Sequence, residues 1–187
     1  ANSTAAGTYN PAGTAVFGGI IDQGGSVIKT GTGTQVFANV NTFTGSLTVN
    51  GGVLQIQSAT AGNASGLGGG ANAIYVTNGA ALKFTTNQRT CGYHSGPVYV
   101  DGGTLTFDTL DNSMAVGNTI SFNTLPGAIS GSGQLRMRAG ATYTVTAAAA
   151  GTSIGVADFN IFDNTETFNV ADGAPAEDLV VSSAMSG

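Results

Sequence analysis

Three aspartates, Asp101, Asp108 and Asp111, form the one local cluster of carboxylates in the body of the chain. Hydrolysis of a glycosidic bond generally needs two carboxylates held about 5 to 9.5 Å apart. The positions of these three favour a plainer role. Asp101 opens an Asp-Gly-Gly turn where an earlier copy of the same turn carries Asn50, and a short polar side chain there can bond its own backbone. Asp108 and Asp111 lie where a strand ends and a Leu-Asp-Asn loop begins. Cys91 and His94 stand close together, and a thiolate–imidazole pair is nucleophilic in principle. No third residue is placed to orient the imidazole, and one Cys with one His is an incomplete zinc shell. As a single cysteine, Cys91 has no internal disulfide partner and reads as a small packed residue. The segment from Arg89 to Pro97, with Arg89, Tyr93 and His94, is instead a candidate contact loop. Gly66-Leu67-Gly68-Gly69-Gly70 lacks the lysine and helix of a phosphate loop. Nor does it make a calcium nonapeptide, because the nearest candidate for the required aspartate is Asn72. Asn2-Ser3-Thr4 and Asn63-Ala64-Ser65 fit the glycosylation sequon, which arises by chance in a chain this rich in Thr, Ser and Asn. No catalytic, metal or cofactor site is expected.

The elements that must carry these residues are strands. The chain has 187 residues, 41% of them hydrophobic, 30 glycines, no tryptophan and only 8% charged residues. That apolar share is too high for a disordered chain, so one domain with a real core is expected, its polarity supplied by Thr, Ser, Asn and Gly. Helical periodicity is nearly absent, and short alternating segments bounded by Gly and Asn recur throughout. The net charge of -5 leaves no basic surface for a phosphate backbone, which argues against nucleic acid as a partner. No apolar run approaches the ~20 residues of a membrane span. The start at Ala1-Asn2-Ser3, without an initiator Met, reads as a chain after signal cleavage, so a secreted, cell-surface protein is expected.

One turn repeats: a strand ending in Val, then Asn or Asp with Gly, then a strand carrying Leu. It appears as Val49-Asn50-Gly51-Gly52-Val53-Leu54, as Val76-Thr77-Asn78-Gly79-Ala80-Ala81-Leu82 and as Val100-Asp101-Gly102-Gly103-Thr104-Leu105, with a degenerate copy at Ala139-Gly140-Ala141-Thr142-Tyr143. From Gly51 to Gly79, Gly102 and Gly140 the intervals are 28, 23 and 38 residues, which suit stacked coils better than sandwich strands. A lone Asn-Gly-Gly turn predicts a hairpin. Its recurrence instead predicts a ladder of Val49, Val76 and Val100 beside another of Leu54, Leu82 and Leu105, with Leu135 also in the repeat core.

The segment from Phe17 to Ile56 reads through as one long pattern. It runs through Lys29-Thr30-Gly31-Thr32-Gly33, then Asn41-Thr42-Phe43-Thr44-Gly45, then Val49-Asn50-Gly51-Gly52-Val53-Leu54. This resembles the autotransporter-associated β-strand repeat of bacterial passenger domains. Gly66-Leu67-Gly68 with Val76 to Phe84, and Ile129 to Arg136, resemble further coils, so the likeness extends over about 16–145. The resemblance implies a right-handed parallel β-helix, or β-solenoid, at the cell surface, and carries no catalytic residue over to this chain. For that family these 187 residues are short, and no C-terminal membrane barrel is expected within them.

The all-β chain therefore divides into an N-terminal arm (1–15), solenoid repeats (16–145) and a strand-rich C-terminal cap or contact segment (146–187). All five basic residues fall in 1–138, whereas the remainder holds six acids and no base. An uncapped solenoid end is a template for another chain. Three functions follow from different classes: a homopolymer joined through its ends into a filament, an adhesive module binding a host surface or glycan, and a carbohydrate-active enzyme. The shortage of paired acids disfavours the last, and the protein is expected not to be an enzyme.

Overall fold

The computed structural model describes residues 7–22, 24–57, 67, 70–85, 93–108, 113–116, 119–137, 140–161, 165–174 and 176–186. In chain order its strands are β1 (Gly7–Tyr9), β2 (Thr14–Phe17), β3 (Val27–Lys29), β4 (Thr34–Phe37), β5 (Leu47–Val49), β6 (Val53–Ile56) and β7 (Ile74–Thr77). There follow β8 (Ala81–Phe84), β9 (Tyr93–His94), β10 (Val98–Asp101), β11 (Thr104–Phe107), β12 (Ser113–Val116) and β13 (Thr119–Phe122). The last six are β14 (Ala128–Met137), β15 (Thr142–Val145), β16 (Thr152–Ile161), β17 (Thr167–Val170), β18 (Leu179–Val181) and β19 (Ala184–Ser186). Among the described residues the sole helical turn is a 3₁₀ segment, Ala147–Ala149.

Each coil contributes one strand to each of two parallel sheets. One sheet runs β1-β3-β5-β7-β10-β13-β15-β17 and the other β2-β4-β6-β8-β11-β14-β16-β18. The result is a parallel β-solenoid. Alternation explains why: in β5 and β6 Leu47, Val49, Leu54 and Ile56 are buried while Thr48, Val53 and Gln55 face outward, so each strand has one side that only another coil can cover. Val49 pairs with Val76 and Val76 with Val100. Leu54 pairs with Leu82 and Leu82 with Leu105, and every one of these six side chains is buried. Phe84 and Phe107 stack within the core at 5.0 Å.

The first coils are regular, Gly7 pairing with Val27 and Val27 with Leu47 at a repeat of 20 residues. Later coils take 22 to 28 residues, and the additional length builds a third face. β9 and β12 pair there, and β12 pairs with the second half of β14. The strand β14 serves two faces by breaking register between Gly131 and Gln134. Gly131 makes the bend possible: its φ is +117°, and a Cβ on it would stand 2.1 Å from the Phe107 carbonyl oxygen.

Leu135 is buried in the core on the third face, paired with Met114, and the Leu105 ladder continues through Ile129 and Ile154. Two sequence expectations need correction. The segment at Gly140 is not a further copy of the Asn-Gly turn. The corresponding corner is Asn123 to Gly127, and Tyr143 stands above Ile120 in the first sheet. That corner carries Asn-Thr-Leu-Pro-Gly, so the sequence pattern skipped it and produced the long interval to Gly140. Finally, both expected boundaries fall inside the solenoid. The strands β1 and β2 are already rungs, and β16 to β19 extend the sheets almost to the end of the chain.

Candidate functional site: inter-coil corners and the open terminal coil

The first corner is organised around Lys29. Its strand position is inward, in register with Val49, and the residue is fully buried. The aliphatic stem lies in the core, and Nζ donates to three backbone carbonyls, of Thr30 at 2.7 Å, Gly31 at 3.0 Å and Gly51 at 2.9 Å. The last of these belongs to the next coil, so one ammonium ties two coils together. Burial holds its pKa below the ordinary lysine value. Beside it the backbones approach too closely for side chains: a Cβ on Gly33 would stand 2.2 Å from the Gly13 carbonyl oxygen, and one on Gly52 2.3 Å from that of Gly33. That proximity lets Thr34 N–H reach the Gly13 carbonyl at 2.9 Å and Val53 N–H reach that of Gly33 at 3.1 Å. The Lys-x-Gly-x-Gly pattern is thus a coil-joining device. Lys29 escaped the sequence reading as a structural residue, although a lone charge at an inward position of an alternating strand was a visible signal.

A second corner uses Asn41, buried beside Phe43, whose Oδ1 accepts the Ile21 N–H at 2.9 Å from the coil below. Asn72, also buried, bonds within its own coil instead, donating to the Leu67 carbonyl at 2.8 Å.

The repeated Asn/Asp turn also joins coils. Asn50 Oδ1 accepts from Thr77 Oγ1 at 3.2 Å and from Asn78 Nδ2. Asn78 occupies the left-handed region at φ 55°, followed by Gly79, while Gly51, Gly52 and Gly102 also have positive φ and Gly103 packs closely against Val76. Asp101 differs from expectation. Its carboxylate accepts the backbone N–H groups of Asn123 and, at 2.9 Å, Thr124, both in the following coil rather than in its own turn. Asp108 pairs with Lys83 across neighbouring coils at 2.8 Å. Asp111 lies outside the described residues.

The candidate contact loop divides. Arg89 and Cys91 lie outside the described residues, as does the side chain of Tyr93, and so do both sequons. His94 is not at the surface: it is 1% exposed on the third face, where β9 pairs with β12, and neither ring nitrogen completes a hydrogen bond with a side chain or backbone group placed for it among the described residues. Burial pushes its pKa down to about 4, with the Asn72 backbone acting weakly the other way. The sequence placed it in a loop because the short strand Tyr93–His94 follows a polar stretch with no alternation to announce it.

At the C-terminal end the core ladders run on into solvent. Phe168 stacks on Tyr143 at 5.1 Å, Val170 pairs with Val145, Val181 with Ile154 and Met185 with Phe159. The lower member of each pair is buried, whereas these four terminal side chains are 36 to 56% exposed. Among the described residues the outer edges of β17, β18 and β19 therefore carry unpaired backbone groups beside an apolar face. Near this end both carboxylate oxygens of Glu166 are covered without a hydrogen-bond partner among the described residues, and burial raises its pKa.

The inward ladders, stitched corners and parallel register define a β-solenoid repeat protein. Residues 27–56, the first residue of β3 to the last of β6, match the family model of the passenger-associated transport repeat. This stretch holds Lys29, Asn41 and the Asn50-Gly51-Gly52 turn, which agrees with the likeness to autotransporter-associated repeats and marks the chain as passenger-like. No curated protein and no solved structure matches the chain. The repeat family points to a cell-surface or extracellular setting, and no helix among the described residues is long and apolar enough to cross a membrane.

Proposed function

We propose that the protein is an extracellular, non-enzymatic structural protein that stacks head to tail into a surface or matrix filament. The observation that carries this reading is the open terminal coil: four apolar side chains in core positions, beside strand edges that another coil can pair. In the described chain the outer edges of β1 and β2 are the matching surface. Continuing the native register, β17 would pair with β1 and β18 with β2 of the next copy, setting Phe168 beside Gly7 and Val181 beside Ala15. Small residues at Gly7 and Ala15 leave room for the larger ones opposite. Charge does not join the ends, because the C-terminal segment is acidic and the described residues of the first coil contain Asp22 and no base. The driving forces are apolar burial and backbone pairing, and heterologous contacts that do not close generate fibres.

The non-enzymatic part of the reading rests on the engagement of the acids. Asp101 is occupied by two backbone N–H groups and Asp108 by Lys83. Sedimentation velocity with negative-stain microscopy over a dilution series tests the assembly, with concentration-dependent linear polymers expected. Val181→Lys, which puts a charge on the open face, should return monomers with an unchanged circular dichroism spectrum. Wild-type particles that stay monomeric at all concentrations would overturn the proposal. Deleting residues 1–15 is a poor test, since it removes β1 and exposes another solenoid edge on β3.

A further inference from the structure

Two tyrosines interrupt an otherwise mainly polar wall. Tyr75 and Tyr99 are neighbours in the outward ladder of the first sheet, whose other described positions are Thr8, Ile28, Thr48, Ser121, Thr144 and Asn169. The fold places no demand for aromatic residues there, since threonine fills the same position in other coils. The rings are nearly parallel, at an interplanar angle of 11°, with centroids 4.9 Å apart, and Tyr75 is 36% exposed. Aromatic planes in contact lie about 3.5 Å apart, so centroids at this distance imply a lateral slip of roughly 3.4 Å. The two rings overlap like shingles and leave part of an aromatic face open to solvent.

The groups beside this platform are polar and almost uncharged. Thr77 follows Tyr75 by two residues on the same outward side, and Asn50 and Asn78 form an exposed amide pair at the adjoining corner. Asp101, paired with Thr77 in the ladder, is the one charged residue of this group, and its carboxylate is held by backbone N–H groups. No base stands among these residues to attract an anionic partner.

We propose that the Tyr75–Tyr99 pair is a docking platform for a neutral glycan. A pyranose presents a C–H face that stacks on an aromatic ring and hydroxyls around its rim that hydrogen-bond to amides and alcohols. The exposed ring supplies the first contact, and Thr77, Asn50 and Asn78 supply partners for the second. An acidic polysaccharide is disfavoured by Asp101 and by the net charge of -5. The site lies on the wall of the solenoid, so it acts whether or not the ends assemble.

Affinity electrophoresis of the intact chain tests the platform, using gels that contain hydroxyethyl cellulose, laminarin, galactomannan or dextran, with alginate as the acidic comparison. At least one neutral polymer should retard the protein and alginate should not. Tyr75→Thr and Tyr99→Thr introduce the residue found at positions 48 and 144 of the same ladder, so the fold should persist, as circular dichroism can check. Each should weaken retardation at least 10-fold, whereas Tyr75→Phe, which keeps the stack, should stay within about 3-fold of wild type. Tyrosine fluorescence titration gives a second readout, since the chain has no tryptophan. Absence of retardation in all four neutral gels, retardation by alginate alone, or undiminished binding by both threonine variants would overturn the proposal.

Discussion

Lowering the pH should destabilise this protein through one buried imidazole. His94 has a pKa pushed down to about 4 in the folded chain, against an ordinary 6.5, because its ring is almost completely covered. Between these two values the unfolded chain binds a proton at this position and the folded chain does not. Stability therefore rises with pH through that interval, is complete above pH 6.5 and falls away as the pH drops toward 4. A difference of about 2.5 units corresponds to about 3 kcal/mol, a large fraction of the stability of an ordinary domain. Urea unfolding of the wild type and of His94→Phe at pH 7, 6, 5 and 4, under reducing conditions, isolates the contribution. Phenylalanine fills a comparable volume without a titrating group. Glu166, whose pKa is raised, contributes in the opposite sense: its stabilisation is present at low pH and lost as the pH rises. That component is common to both proteins and cancels in their difference. The variant should gain on the wild type by about 3 kcal/mol between pH 7 and pH 4. A difference that does not change with pH would refute the reasoning, because it would mean that His94 is as accessible to protons in the folded chain as in the unfolded one.

The corners support two further predictions, each read from thermal or urea unfolding. Lys29→Met preserves the apolar stem but leaves the carbonyls of Thr30, Gly31 and Gly51 without their donor, so it should cost about 3 kcal/mol even though it removes a buried charge. A neutral result would show that the ammonium is not a coil-joining group. Gly52→Ala should cost at least about 2 kcal/mol, from positive φ together with a Cβ 2.3 Å from the Gly33 carbonyl oxygen, whereas Gly13→Ala, which meets nothing within 4 Å, should be nearly silent. Equal effects of the two alanines would contradict the close stacking of the corner.

The architecture was largely legible in local pattern. Alternation identified the strands, and recurrence of Val-Asn-Gly-Gly-x-Leu distinguished stacked coils from hairpins, because only stacking covers every inward face. The pattern failed where a corner lost its usual residues, as at Asn123 to Gly127, and there the register slipped onto Gly140. It failed again at β9, where two residues are too few to show any period, so the buried His94 looked like part of an exposed loop. The role of Asp101 was misjudged for a related reason. Its type suits a local turn, but its actual partners, Asn123 and Thr124, come from the next coil.

What the amino-acid sequence determined by itself is therefore the set of inward and outward positions and the corners where the backbone must turn, since both depend on neighbours a few residues away. The register beyond the recurring Asn/Asp-Gly turn, from Ile120 and Tyr143 onward, was decided only in three dimensions. Partners 20 to 28 residues apart meet according to corner geometry and loop length, quantities that no short window of sequence contains. The tertiary structure alone thus disclosed the hold of Lys29 on two coils, the stacked pair of Tyr75 and Tyr99, and the ladders that end uncovered at Phe168, Val170, Val181 and Met185.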